Sequence, residues 1–131
     1  MVQSVQPFLM FEGNAEEALT FYTSLIPDSR IEAISRYGPG ESGPEGTVIE
    51  ARFTLAGQSV ICIDSPVKHE FGFTPSFSFF IVCSGDVEIR RLVSALIGGG
   101  EALMPLDNYG FSRLFAWVKD RFGVSWQLSL P

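Results

Sequence analysis

One pattern constrains this chain more than any other: its apolar periodicities run strand, helix, strand, strand, strand, and the same order returns about 70 residues later. In the first copy, Val5–Phe11 reads as a strand with Pro7 near its start, where a missing N–H costs least. A helix follows. Asn14 is placed to cap it, Glu16 and Glu17 suit its positive first turn, and Ala15, Ala18, Leu19, Tyr22, Leu25 and Ile26 recur at three and four residues until Pro27 stops the run. Arg30–Tyr37 alternates loosely and ends in the loop Gly38-Pro39-Gly40-Glu41-Ser42-Gly43-Pro44. From Thr47 the alternation is strict, with Ile49, Ala51, Phe53 and Leu55 on one face and Glu50, Arg52 and Thr54 on the other. The chain then turns at Ala56-Gly57 into Ser59–Ile63, which makes a hairpin.

After a linker from Ser65 to Phe73 the order repeats. Ser76–Cys83 reads as a buried strand and Asp86–Ile97 as a helix with Ile89, Leu92, Val93, Leu96 and Ile97 on one stripe, closed by Gly98-Gly99-Gly100. Strands over Glu101–Leu106, Phe111–Lys119 and up to Leu130 follow, parted by a loop at Asp107-Asn108-Tyr109-Gly110 and a turn at Asp120-Arg121-Phe122-Gly123. The duplication rests on element order, with little residue identity behind it.

The 131 residues suit one domain that holds a core without disulfides or metal. Charged residues make up 18%, below the ~25% of ordinary domains, and 12 of the aromatics are Phe, so a pocket or a dimer interface is expected to take the surplus apolar surface. Nine Lys and Arg against 15 Asp and Glu give a net charge of −6 with no basic cluster, which argues against nucleic acid or anionic membrane as partners. The longest uncharged stretch, Phe71 to Gly85, is too short and too broken to span a bilayer. Met1-Val2-Gln3-Ser4 lacks the basic start of a secretory signal, so cytoplasmic residence is expected. Cys62 and Cys83 each sit in an apolar run and read as buried free thiols.

Several short stretches carry a family resemblance: Phe21-Tyr22, Asp28-Ser29-Arg30, Arg36-Tyr37-Gly38, Gly46-Thr47-Val48, Gly57-Gln58, and above all Trp117-x-x-Asp120-x-Phe122-Gly123-x-Ser125-Trp126-Gln127. Over essentially its whole length the chain resembles the vicinal oxygen chelate superfamily, which includes the glyoxalase, bleomycin-resistance and dioxygenase proteins. Within it, the chain is similar to the PhnB-like branch, often labelled demethylubiquinone methyltransferase-like. The resemblance implies an α+β fold of paired βαβββ modules, here about 1–65 and 75–131 within a single domain, forming a curled mixed sheet with helices outside and a cup within. It also implies a homodimer. Metal-using members place His, Gln or Glu on the first and fourth strands of each module. Placed on this sequence, those positions fall at Gln6, at Ile61 or Cys62, at Ser76 or Ser78, and at Gln127. Neutral amides and a hydroxyl repay the dehydration of a divalent ion poorly, so no metal or other cofactor is expected. The methyltransferase label finds no glycine-rich nucleotide turn to support it.

Strand parity then sorts the candidates. If Val124, Trp126, Leu128 and Leu130 face a helix, Ser125, Gln127 and Ser129 face the cup, and Gln127 leads the pocket residues. Phe111, Arg113, Phe115, Trp117 and Lys119 share a strand face, an aromatic wall with one or two cations that suits a planar, anionic or aromatic ligand, although core packing or a dimer seam explains it equally. Glu50 and Arg52 point into the cup as ligand-binding groups or, more plainly, as a cross-strand ion pair. Cys62 shares parity with Asp64, which would raise its pKa and leave it a poor nucleophile. His69, the sole histidine, lies in a linker with no second imidazole to form a ligand pair. The expected function is binding of a small molecule in the cup by Gln127, Trp117, Ser76, Ser78, Glu50, Arg52, Cys62 and Gln6. The rival is a metal-dependent lyase, isomerase or dioxygenase with Glu50, Gln6, Gln127 and His69 as an irregular ligand set.

Overall fold

Ten elements account for the apolar pattern in a computed structural model that describes residues 1–131. They are β1 (Phe8–Phe11), α1 (Ala15–Leu25), β2 (Arg30–Arg36), β3 (Val48–Leu55), β4 (Gln58–Asp64), β5 (Ser78–Val82), α2 (Asp86–Ile97), β6 (Glu101–Asp107), β7 (Leu114–Lys119) and β8 (Ser125–Leu130). The βαβββ order thus occurs twice, in two compact units, Met1–His69 and Glu70–Pro131. Both helices are short, and neither is long and apolar enough to cross a membrane.

In the first unit the strands lie in the order β1-β4-β3-β2, with β1 parallel to β4 and the other pairs antiparallel. Leu9, Phe11, Ala51, Phe53, Val60 and Cys62 line one sheet face, and Ala15, Ala18, Leu19 and Tyr22 of α1 are buried with them. Burial of each large side chain here contributes about 1.5–3 kcal/mol. The face away from α1 carries Phe8, Arg52 and Ile61 in one cross-strand row. Glu16 of α1 accepts two hydrogen bonds from the Arg36 guanidinium of β2, at 2.8 and 2.7 Å, an exposed pair worth at most about 1 kcal/mol.

Two sequence expectations fail in this unit for local reasons. Asn14 does not cap α1 with its side chain; the carboxylate of Asp64, at the end of β4, accepts the N–H groups of Gly13 (2.7 Å) and Ala15 (3.0 Å) instead. Ile49 does not share the face of Ala51. The pairing of β2 with β3 slips between Ser35 and Arg36, whose partners are Glu50 and Val48, so a bulge turns Val48 inward and leaves Ile49 38% exposed.

The second unit repeats the topology as β5-β8-β7-β6, with β5 parallel to β8. Ala116, Val118, Trp126, Leu128 and Leu130 are buried on the side of α2, which contributes Ile89, Leu92, Val93 and Leu96. Strand β5 starts at Ser78 rather than Ser76, and β7 starts at Leu114 rather than Phe111. Phe111 and Arg113 therefore precede the strand they were expected to join, although the Arg113 N–H still bonds the Leu130 carbonyl. The chain is α+β: two mixed four-stranded sheets, each with one helix on one face.

Candidate functional site

The closing motif builds the candidate site from beneath. Asp120, 2% exposed, follows β7 and accepts the N–H groups of Phe122 (2.9 Å) and Val124 (3.0 Å) on Oδ1 and the Trp126 indole N–H (2.9 Å) on Oδ2. Gly123, at φ +92, closes this turn with its own N–H on the Asp120 carbonyl. Such a φ is nearly free for glycine and strained for other residues. With Trp126 held in the core, alternation turns Ser125 and Gln127 to the face away from α2, called the open face here, where Ser125 is covered and Gln127 half-buried.

On that open face four side chains form one hydrogen-bonded chain. The Trp117 indole N–H donates to Ser125 Oγ at 2.9 Å, Ser125 and Ser78 share a hydroxyl contact of 2.6 Å, and Gln127 Nε2 donates to Ser78 Oγ at 3.3 Å. The carbonyl of Pro75 lies within reach of both hydroxyls, at 3.2 Å from Ser125 and 3.4 Å from Ser78. One hydroxyl proton therefore joins the two serines while the other goes to Pro75, and every member has a partner. Gln127 sits between aromatic neighbours, Phe80 on β5 and Trp117 on β7, directly opposite it on the flanking strands. Beyond Trp117 lie the buried ring of Phe115 and the exposed rings of Phe111 and Tyr109, with Phe111 edge-on to Phe115 at 5.0 Å between ring centroids. Lys119, on the same face, has Glu101 at 3.9 Å.

The structure brings Gln127, Trp117 and Ser78 together and puts the other candidates elsewhere. Ser76 lies in the turn before β5, its hydroxyl 2.8 Å from that of Thr74. Glu50 and Arg52 form an ion pair at 3.2 Å, but along one strand two residues apart rather than across strands. Gln6 precedes β1 and donates its side-chain N–H to Ser4 Oγ at 3.2 Å. Cys62 is turned under α1 and fully buried, and Ile61 takes the open face in its place. Burial, with the Asp64 carboxylate nearby as the lesser cause, pushes the Cys62 thiol up to about 12. His69 lies in the loop after β4, its Nε2 3.0 Å from Ser65 Oγ and its backbone N–H on the Glu12 carboxylate at 3.3 Å.

Ser125 and Phe80 were not among the sequence's candidate ligand-binding residues, although parity turned Ser125 to the cup. Ser125 faces the open side by parity alone, but its position at the centre of the chain depends on the Pro75 carbonyl, 50 residues away. Phe80 shares parity with Ser78, and that alternation was the available signal.

The donor set does not suit a divalent cation. Ile61 offers no donor, Cys62 is a buried thiol held protonated, and Ser78 and Gln127 are neutral and bonded to each other. No group of three or more His, Cys, Asp and Glu is arranged to hold a metal ion. In the first unit a cleft of about 320 Å³ is lined in part by Glu12, Asp64, Ser65 and Lys68. Its buried acid, Asp64, has both oxygens on backbone N–H groups, the second on Val48 at 2.9 Å.

Comparison with known proteins bears on the family and the fold. Residues 3–129 match the family described as 3-demethylubiquinone-9 3-methyltransferase. A solved structure from Bacillus cereus, a putative 3-demethylubiquinone-9 3-methyltransferase described as PhnB protein, is 52% identical, with a TM-score of 0.96 over 98% of this chain and 100% of that one. Protein YjdN of Escherichia coli (strain K12) is 20% identical over 139 residues, 96% of this chain and 94% of its own. A glyoxylase/bleomycin resistance protein/dioxygenase domain from Frankia sp. EAN1pec shares the fold, at 14% identity and a TM-score of 0.66 over 99% of this chain and 93% of that one. By its matched length and its likeness to a PhnB protein, the chain belongs to the 3-demethylubiquinone-9 3-methyltransferase family, with a fold shared by a glyoxylase/bleomycin resistance protein/dioxygenase domain.

Proposed function

We propose that the protein binds a small organic molecule on the open face of β5, β8 and β7, without a metal ion, and that it acts as a homodimer. One observation carries the reading: a hydrogen-bonded polar chain, Trp117, Ser125, Ser78 and Gln127, lies on a sheet face that also carries Phe80 and Phe115. Apolar walls with a few fixed polar groups are the usual composition of a ligand site. Methyl transfer is not part of the proposal, because β1 and β5 are followed by Glu12-Gly13-Asn14 and Cys83-Ser84-Gly85, neither of them a glycine-rich nucleotide turn. The dimer accounts for Phe8, Phe77 and Val82, each more than half exposed, which is more apolar surface than a small monomer usually leaves to water. Nucleic acid and membrane are not proposed as partners, given the net charge of −6. Cytoplasmic residence suits two free thiols.

The test is fragment binding followed by side-chain NMR. Aromatic fragments should shift the Trp117 indole and Gln127 amide signals while the Trp126 indole stays put, and Trp117→Ala should abolish the shifts. Shifts that cluster away from β5, β8 and β7 would overturn the site. Stoichiometric Zn, Ni, Mn or Fe in the purified protein would overturn the metal-free reading, and a monomer in sedimentation at micromolar concentration would overturn the dimer.

A further inference from the structure

Gln127 has a specific incompleteness. One N–H of its carboxamide donates to Ser78 Oγ, while the carbonyl oxygen and the second N–H bond to no other group in the protein. A primary amide that gives its N–H trans to the carbonyl to such a bond presents the other N–H and the carbonyl side by side, in the plane of the amide. The groups that match that edge have the same pair in reverse, an N–H next to a C=O. A carboxylate does not match, because the Gln127 carbonyl would face one of its oxygens with no proton between them. The nearest cation on this face, Lys119, is two residues along β7 from Trp117 and has Glu101 beside it, so an anion is not compensated at Gln127.

The aromatic neighbours set the size and shape. Phe80, Gln127 and Trp117 form one row across β5, β8 and β7, and two strand spacings make that row about 9.6 Å wide. That width accommodates a flat one- or two-ring system. The Trp117 indole is pinned by its N–H on Ser125, so its ring is oriented before any ligand arrives, which lowers the ordering cost of stacking. The topologically matching row of the first unit, Phe8, Ile61 and Arg52, has an aliphatic centre and offers no such edge.

We propose that the open face of the second unit is selective for planar cyclic lactams and imides, read by Gln127 through a paired N–H and C=O and stacked against Trp117. This rests on the small-molecule reading above and names its ligand class. The probes are 2-quinolone, N-methyl-2-quinolone, which lacks the donor, and quinoline, which lacks the pair. Binding is followed by Trp117 indole shifts on the intact protein. 2-Quinolone should bind at least about tenfold more tightly than either analogue, the effect of about 1.4 kcal/mol. In Gln127→Met, a near-isosteric change at a half-buried site, the three probes should bind within about twofold of one another, with the fold checked by circular dichroism. Equal binding of all three to the unaltered protein overturns the lactam class while leaving a stacking site intact. Discrimination that survives Gln127→Met overturns the role of Gln127. Failure of all three probes, together with failure of the wider fragment set, overturns both this inference and the small-molecule reading.

Discussion

Asp120 and Trp126 are joined inside the second unit by a 2.9 Å hydrogen bond from the indole N–H to Oδ2, and the same carboxylate holds the turn between β7 and β8. The motif Trp117-x-x-Asp120-x-Phe122-Gly123-x-Ser125-Trp126-Gln127 therefore has a structural half and a site half. Asp120, Gly123 and Trp126 fix the register, and the register presents Trp117, Ser125 and Gln127 on the other face.

Asp120→Ala should lower stability by about 3 kcal/mol, because three donors, two of them buried, lose their acceptor at once. Asp120→Asn keeps one carbonyl acceptor and should cost less. Urea titrations of the three proteins give the order, and equal stability of the alanine variant and the parent would refute the anchoring role.

Gly100 precedes β6 where two strand ends meet. A Cβ there would run into the Lys119 carbonyl oxygen and lie 2.8–2.9 Å from the backbone of Asp120. Gly100→Ala should therefore destabilise by about 1–3 kcal/mol, as overpacking commonly does. Gly72→Ala, with nothing within 4 Å of the added carbon, should be close to neutral. Thermal melts of both variants make the comparison.

What the sequence revealed and what it hid divide along a physical line. Period-2 and period-3.6 patterns placed all ten elements and the open-face parity of Gln127, because burial on one face is a local constraint. The departures came from contacts between residues far apart in sequence. Ile49 left its face through a bulge set by β2, Asp64 replaced Asn14 at the helix start from 49 residues away, and Ser125 gained its role from Pro75. Cys62 was ambiguous until the pairing with Ala51 fixed its side, since the count through Gly57 allows either parity.

The replacement of Asn14 by Asp64 at the start of α1 makes a direct comparison. Asp64→Ala leaves the N–H groups of Gly13, Ala15 and Val48 without their acceptor and should cost about 2–3 kcal/mol. Asn14→Ala should stay within about 0.5 kcal/mol, since its side chain makes no capping bond. The reverse order in chemical denaturation would restore Asn14 as the cap.

The two thiols set the alkaline limit. Burial raises Cys62 from 9.0 to about 12 and Cys83 from 9.0 to about 11, with Asp64 and Glu88 as the lesser causes. Below pH 9 both thiols are protonated in the folded and the unfolded chain, so their contribution is fully present. As the pH rises from 9 towards 11 and 12, the unfolded chain releases these protons while the folded chain keeps them, and stability falls. The Cys62→Ala, Cys83→Ala double variant should show a shallower decline between pH 9 and 11 than the parent, whatever its stability at neutral pH. In the unaltered protein iodoacetamide at pH 8 should label neither thiol in the native state and both in urea, as a protonated, covered sulfur is a poor nucleophile. Rapid native labelling of Cys62 would show that the thiol is reachable and would remove the basis for the alkaline prediction.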